Sequence, residues 1–211
     1  MRRNCVGLAR PQDQEAINAL RVETYKSATE FKLLRPDLLY WDGASPAHVV
    51  LAGWDDEGRL SSTFQGIAAG SAAAVERILG VSITLDDSLF PTFITGRAAT
   101  LRSHARSGLN SVLRWHFLQA TIAAGFPSTM GLAYTGAPRL RTMFQMGYAS
   151  FNPERVWDPE VEFITPPLVV YLRSEGYQAA LASLEGAAAT QIAAYPWTGM
   201  PLNLQMSHKR T

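Results

Sequence analysis

Residues 102–110 hold the densest concentration of reactive side chains in the chain. Arg102, Arg106, Ser107 and Gly108 form a short basic turn, RSHARSG from position 102. The stretch before it, Phe93 to Leu101, is rich in β-branched and aromatic residues and reads as a strand. After it, Leu109, Val112, Leu113, His116, Phe117 and Ala120 recur at helical spacing and mark one face of a helix. A strand that feeds a glycine-containing turn into a helix leaves backbone N–H groups unpaired at the helix start. The helix dipole favours an anion there as well, so the pattern suits phosphate binding. Arg102 and Arg106 strengthen that reading. A solvated strand–turn–helix unit has the same appearance, and the pattern alone leaves both readings open. Arg97 lies inside the apolar strand and needs a partner in either case.

The flanking elements must position this turn. Residues 13–28 read as a first helix with Asp13 as N-cap. Residues 48–65 form a hairpin, HVVLAGW and RLSSTFQ joined by DDEG. A short helix over 71–80 starts at Ser71 and stops at Gly80. Met130 to Tyr134 reads as a buried strand. TGAP then places Pro138 at the first turn of a helix that ends at Gly147. Residues 168–172 form an apolar strand, and 176–184 a terminal helix. Strands alternating with helices imply an α/β (α+β) fold, a mixed central sheet with helices on both faces and a ligand near a strand–helix junction. The expected organisation is one domain over 1–185 and a mobile tail over 186–211.

Composition narrows the function classes. The net charge is +1, which makes no demand for nucleic acid, although the basic residues are lopsided at 16 arginines to three lysines. The single cysteine, Cys5, excludes an intrachain disulfide and a cysteine-cluster metal site. No run of about 18 apolar residues spans a membrane. The N-terminal stretch turns polar before any signal-peptide core forms, and the expectation is a cytoplasmic protein with no metal.

Two stretches resemble the GNAT acyltransferase superfamily. RSGLNSVL (Arg106 to Leu113), following a hydrophobic strand, is similar to the superfamily's pantetheine–pyrophosphate loop. GLAYTGAPRLRTMFQMGY (Gly131 to Tyr148) is similar to its next strand–turn–helix, which ends in an apolar residue, Gly and an aromatic. The resemblance covers roughly residues 15–172, and the order of elements carries most of it. Arg21, Tyr25, Phe31, Asp42, GRLSSTFQ and ITGR also resemble a particular branch, the acyl-homoserine-lactone synthases and the N-acyl amino acid synthases. Three positions depart from the lactone synthases: Gln65 for an arginine, Ser45 for an acidic residue and Ile94 for a glutamate. Those positions serve S-adenosylmethionine in that family, so the resemblance implies a different amine acceptor. In the loop, Ala105 and Asn110 depart from the superfamily pattern, which puts the standard CoA pyrophosphate contact in question.

What the resemblance implies is an N-acyltransferase. It would move an acyl group, long in chain, from an acyl carrier protein or CoA thioester to the amine of an amino acid, with no permanently bound cofactor. The donor residues would be Arg97, Arg102, Arg106, Ser107, Gly108, Leu109 and Asn110. The acceptor residues would be Arg21 and Asp42, which also suit each other as structural partners. Thioester aminolysis needs a neutral amine, a polarised carbonyl and alignment. His104 and Glu76 are the candidate bases, each also readable as a solvated residue, beside a water-mediated route. His116 reads as a core histidine, and His48 as a partner of Asp42 or of substrate. Met143 stands where the superfamily often has a tyrosine acid. Two rivals stay open: a CoA-dependent N-acetyltransferase of a small amine, and a catalytically idle binding module of the same fold.

Overall fold

The computed structural model describes residues 4–43, 45, 47–105, 107–157 and 161–205. In chain order the elements are β1 (Cys5–Leu8), α1 (Gln14–Lys26), β2 (Phe31–Leu33), β3 (His48–Trp54), β4 (Leu60–Ala69) and α2 (Ala72–Leu79). Next come β5 (Val81–Ser82), β6 (Thr92–Thr100), α3 (Leu109–Ala123), β7 (Ser128–Tyr134) and α4 (Pro138–Gln145). The chain continues with β8 (Ala149–Phe151), β9 (Arg155–Val156), β10 (Val161–Phe163), β11 (Pro167–Arg173), α5 (Tyr177–Ala194) and β12 (Trp197–Thr198). Local chemistry sets many of these bounds. Ser71 caps α2 by accepting the Ala74 N–H, and Gly80 ends it at φ +64°, a left-handed conformation that glycine tolerates. Pro138 opens α4, where its missing N–H costs nothing.

Eight strands make one mixed sheet in the order β12-β1-β3-β4-β6-β7-β11-β8. Neighbours run antiparallel except the pairs β1–β12 and β6–β7, which are parallel. Strand alternation sorts side chains to two faces. Leu51, Phe64 and Phe93 pack against Leu109, Val112, Leu113 and Phe117 of α3 and Ala188 of α5. Ala133, Val170 and Leu172 meet Leu140 and Met143 of α4 on that same face. On the other face, Ile94, Met130 and Val169 pack on Val75 and Leu79 of α2, and Val50 on Ile17 of α1. The sheet is therefore covered on both sides, as expected from the element order. Among the described residues no helix is long and apolar enough to cross a membrane.

The two ends of the chain differ most from the sequence reading. β1 was not read as a strand, since four residues are too few for a period to show. The expected boundary at 186 falls inside α5, which runs ten residues past Leu184 to Ala194. Alanine occupies most faces of α5, so its amphipathic signal is weak, and Gly186 reads as a stop. The helix survives because Tyr177, Ala180, Leu184 and Ala188 form a buried stripe. Beyond it, β12 returns to the sheet beside β1, pairing Val6 with Trp197 and Gly7 with Thr198.

His116 of α3 sits between the rings of Trp115 and Trp197, at centroid distances of 4.8 and 4.6 Å. Burial lowers its pKa from the ordinary 6.5 to about 4. Above the ordinary value both folded and unfolded chains carry it neutral. Between 6.5 and about 4 only the unfolded chain takes the proton, so stability falls as pH drops through that window. With its partial exposure discounted, the loss is about 1–2 kcal/mol. Denaturant melts at pH 7 and pH 4.5 will show this difference reduced by that amount in His116→Phe.

Candidate active site

The centre of the sheet is split. β6 and β7 pair only through Thr92–Ser128, Phe93–Thr129 and Ile94–Met130. The approach is close where they part: a Cβ on Gly131 would lie 2.6 Å from the Thr95 carbonyl oxygen. On its other edge β6 stays paired with β4 but slips register, so that Thr63 faces Ala99 and Gln65 faces Gly96. Arg97 and Ala98 thus stand opposite the single residue Phe64, a bulge that takes backbone groups out of the ladder. Arg97 has φ +50°, a left-handed conformation uncommon for any residue with a Cβ. A cavity of about 710 Å³ occupies the split, with Gly96, Arg97 and Ala98 on one wall and Gly131, Leu132 and Tyr134 on the other.

The α1 side of this cavity is polar. His48 faces Ile67 and Val50 faces Gln65 across the β3–β4 ladder, which puts His48 and Gln65 on one face of the sheet. Both line the cavity. Burial lowers the His48 pKa, Arg97 and Arg21 push it the same way, and Asp42 opposes them. The imidazole is therefore neutral at pH 7 and able to accept a proton. Gln65 is 7% exposed, and its Oε1 has no hydrogen-bond partner among the described residues. Arg21 is fully buried on α1 and donates from Nη1 to the Leu39 carbonyl at 3.1 Å. Asp42 accepts the Ser45 N–H at 2.9 Å. Tyr25, Phe31, Tyr134 and Phe163 pack in series, with ring centroids 5.2, 5.2 and 5.8 Å apart, and Tyr25 and Tyr134 line this side.

The α3 side begins at the open end of the split. β6 and β7 are parallel, so both feed their following helices, α3 and α4, at the same edge of the sheet. Gly108 precedes α3 at φ +81°, and a Cβ there would sit 2.9 Å from the Gln191 side chain of α5. Ser107 Oγ accepts the Leu109 N–H at 3.3 Å. Asn110 Oδ1 accepts from Arg114 Nε at 2.8 Å. Deeper in, Arg114, Met143 and Tyr148 line the cavity. Burial raises the Tyr148 pKa, and Arg114 opposes the rise. Among the described residues no three His, Cys, Asp or Glu side chains are grouped to hold a metal ion.

No protein-family model and no curated protein matches this sequence. Solved structures do. A CoA-dependent acyl-homoserine lactone synthase, BjaI, superimposes at a TM-score of 0.58 with 15% identity, over 95% of this chain and 96% of that one. FeeM, an N-acyl amino acid synthase from uncultured soil microbes, gives 0.58 with 10% identity, over 84% and 96%. NAA60 of Arabidopsis thaliana, in complex with acetyl-CoA, gives 0.59 with 10% identity, over 82% and 99%. The fold is the GNAT fold. Within it the split between β6 and β7, the bulge at Arg97 and the loop into α3 are one connected feature.

The predicted site residues divide within this GNAT fold. Arg97 lines the cavity. Arg102, Ser107, Gly108 and Asn110 lie on the loop and first turn of α3. Leu109 is fully buried in the core beside Gly53 and offers no side chain to a ligand. Arg106 lies outside the described residues. Arg21 and Asp42 are brought together around His48. The two candidate bases are elsewhere. His104 packs its Nδ1 against Ser103 Oγ at 3.1 Å and does not line the cavity. Glu76 is occupied in holding the turn after α2, where Oε1 accepts Ser82 Oγ at 3.2 Å and the Ile83 N–H at 3.0 Å. Sequence reasoning left His48 open between Asp42 and substrate, placed Arg114 with Arg97, Arg102 and Arg106 on a basic junction suited to the donor's phosphate, and did not single out Tyr148. The β3–β4 register carried the signal for His48, since it puts that residue on the Gln65 face.

Proposed function

We propose that this chain is an N-acyltransferase that moves a long acyl group from an acyl carrier protein thioester to the amine of an amino acid. The observation that carries the reading is the cavity at the split sheet, which a donor from the loop side and an acceptor from the α1 side can enter together. The phosphopantetheine arm would follow β6 inward from the α3 N-terminus, with Arg102, Ser107, Gly108 and Asn110 around its phosphate. The bulge at Arg97 and Ala98 would set the thioester carbonyl beside backbone groups freed from the ladder. Ile94, Met130, Leu132 and Leu79 give an apolar wall for the chain.

On the acceptor side, Arg97 would hold the amino acid's carboxylate, with Arg21 behind it. His48 would take a proton from the ammonium. The free amine then attacks the carbonyl carbon, the C–N bond forms, the C–S bond breaks, and the nitrogen's second proton passes to the departing thiolate, which leaves as the thiol. A thiol is a good enough leaving group to go without a dedicated acid. Exposed Arg102 and Arg139 near the donor end suit the acidic surface of a carrier protein.

Mass spectrometry of lipid extracts from cells expressing the chain tests this directly, since it reports acyl chain and amine together. N-acyl amino acids absent from the control are the expected result. With purified protein, acyl carrier protein thioesters should support turnover. Rapid turnover with acetyl-CoA and none with the carrier protein would instead establish a CoA-dependent N-acetyltransferase.

A further inference from the structure

Acyl transfer at the split gives no role to one arginine of the cavity. Among the described residues its lining includes four arginines, Arg77, Arg97, Arg114 and Arg139, and no aspartate or glutamate. Arg77 and Arg139 are exposed at the rim, and Arg97 stands at the bulge. Arg114 differs from all three. It projects from α3 into the interior on the far side of the split, beside Phe64, Thr95 and Tyr148.

Two contacts fix its guanidinium. Nε donates to Asn110 Oδ1 at 2.8 Å, and the group lies 4.6 Å from the centroid of the Phe64 ring. Among the described residues its terminal nitrogens, Nη1 and Nη2, make no hydrogen bond, and no carboxylate pairs with it. The surface it keeps is in contact with the cavity. Burial and then the like charge of Arg139 lower its pKa to about 10, so it is still a cation at pH 7. A half-buried cation with no counter-charge is costly, and here the fold holds it oriented at the cavity.

The two free nitrogens of an oriented guanidinium match the two oxygens of a carboxylate. The neighbouring Phe64, Met143 and Val170 suit the carbon chain that would bear it. We propose that Arg114 receives a substrate carboxylate on the α3 side of the cavity. The carboxylate is that at the far end of an ω-carboxylated acyl group, since Arg97 on the α1 side takes the acceptor's. Its role in catalysis rests on the acyltransferase reading above, but its binding does not.

Isothermal titration of the full chain with octanoate, octanol and inorganic phosphate tests the proposal without any turnover. Octanoate should bind at least about tenfold tighter than octanol. Arg114→Gln should remove that difference and leave octanol binding unchanged, while Arg114→Lys should keep part of it. Equal affinities for octanoate and octanol, or an Arg114→Gln variant that keeps the preference, would overturn the proposal. So would phosphate that displaces octanoate in wild type and fails to bind Arg114→Gln, since that assigns the arginine to the donor's phosphate. If Arg114→Gln does not fold, the wild-type comparison and Arg114→Lys decide. Displacement of octanoate by a free amino acid would place the acceptor's carboxylate here instead and overturn the proposal. Failed binding and failed catalysis are separate results.

Discussion

Gly96→Val is expected to lose at least about a hundredfold in acyl transfer while melting at the wild-type temperature. A Cβ at Gly96 meets nothing within 4 Å, because the position opens onto the cavity between β6 and β7. Valine is at home in a strand, and the backbone there is not left-handed, so the fold has no reason to object. The added isopropyl group would stand where the thioester must meet the amine. Gly131→Ala is the opposite control. Its Cβ would press to 2.6 Å on the Thr95 carbonyl, a backbone atom, and should cost about 1–3 kcal/mol. Thermal melts and a transfer assay on both variants separate filling the site from breaking the sheet. A Gly96→Val enzyme with wild-type turnover would remove the split as the place of reaction.

The second large effect is at His48. Replacing it with glutamine should lower kcat by about two to four orders of magnitude at pH 7. The working form is the neutral imidazole. Activity should therefore be lost as pH falls through the His48 pKa, which burial first, and then Arg97, set below the ordinary 6.5. Arg97→Gln removes one of the lowering influences and leaves the larger one. The acidic limb should move up yet stay under 6.5. The pH profile of kcat for the three proteins is the measurement. Near-normal kcat in His48→Gln, with the limb unmoved, would pass the proton to water instead.

The order of elements was legible because each spoke locally. Ser71 and Gly80 bracket α2, Pro138 opens α4, and the strand-to-helix change of period marks the junction at residue 109. Those are nearest-neighbour signals, and they carried the fold. The site is built from pairings across the sheet, which have no local signature. His48 and Gln65 become neighbours of the cavity only through the register of β3 and β4. The loop was correctly seen as a helix start. Leu109, in the middle of it, is core because α3 packs down on Gly53 of β3, a contact between residues 56 apart in sequence. Glu76 looked like a free acid on a helix face, but the turn after α2 folds back and uses its carboxylate. Arg114 read as one of four arginines at the donor's phosphate because nothing in the sequence says that Phe64 lies under it.

The parallel pairing of Val6 with Trp197 also bears on how the chain is made. β1 is synthesised long before β12. On one side β1 finds β3 early, through Val6–Gly53 and its neighbours. Its other edge stays unpaired through the synthesis of everything between them, offering open N–H and C=O groups to any passing strand. Chains cut short before Trp197 should therefore be more aggregation-prone than chains that carry β12.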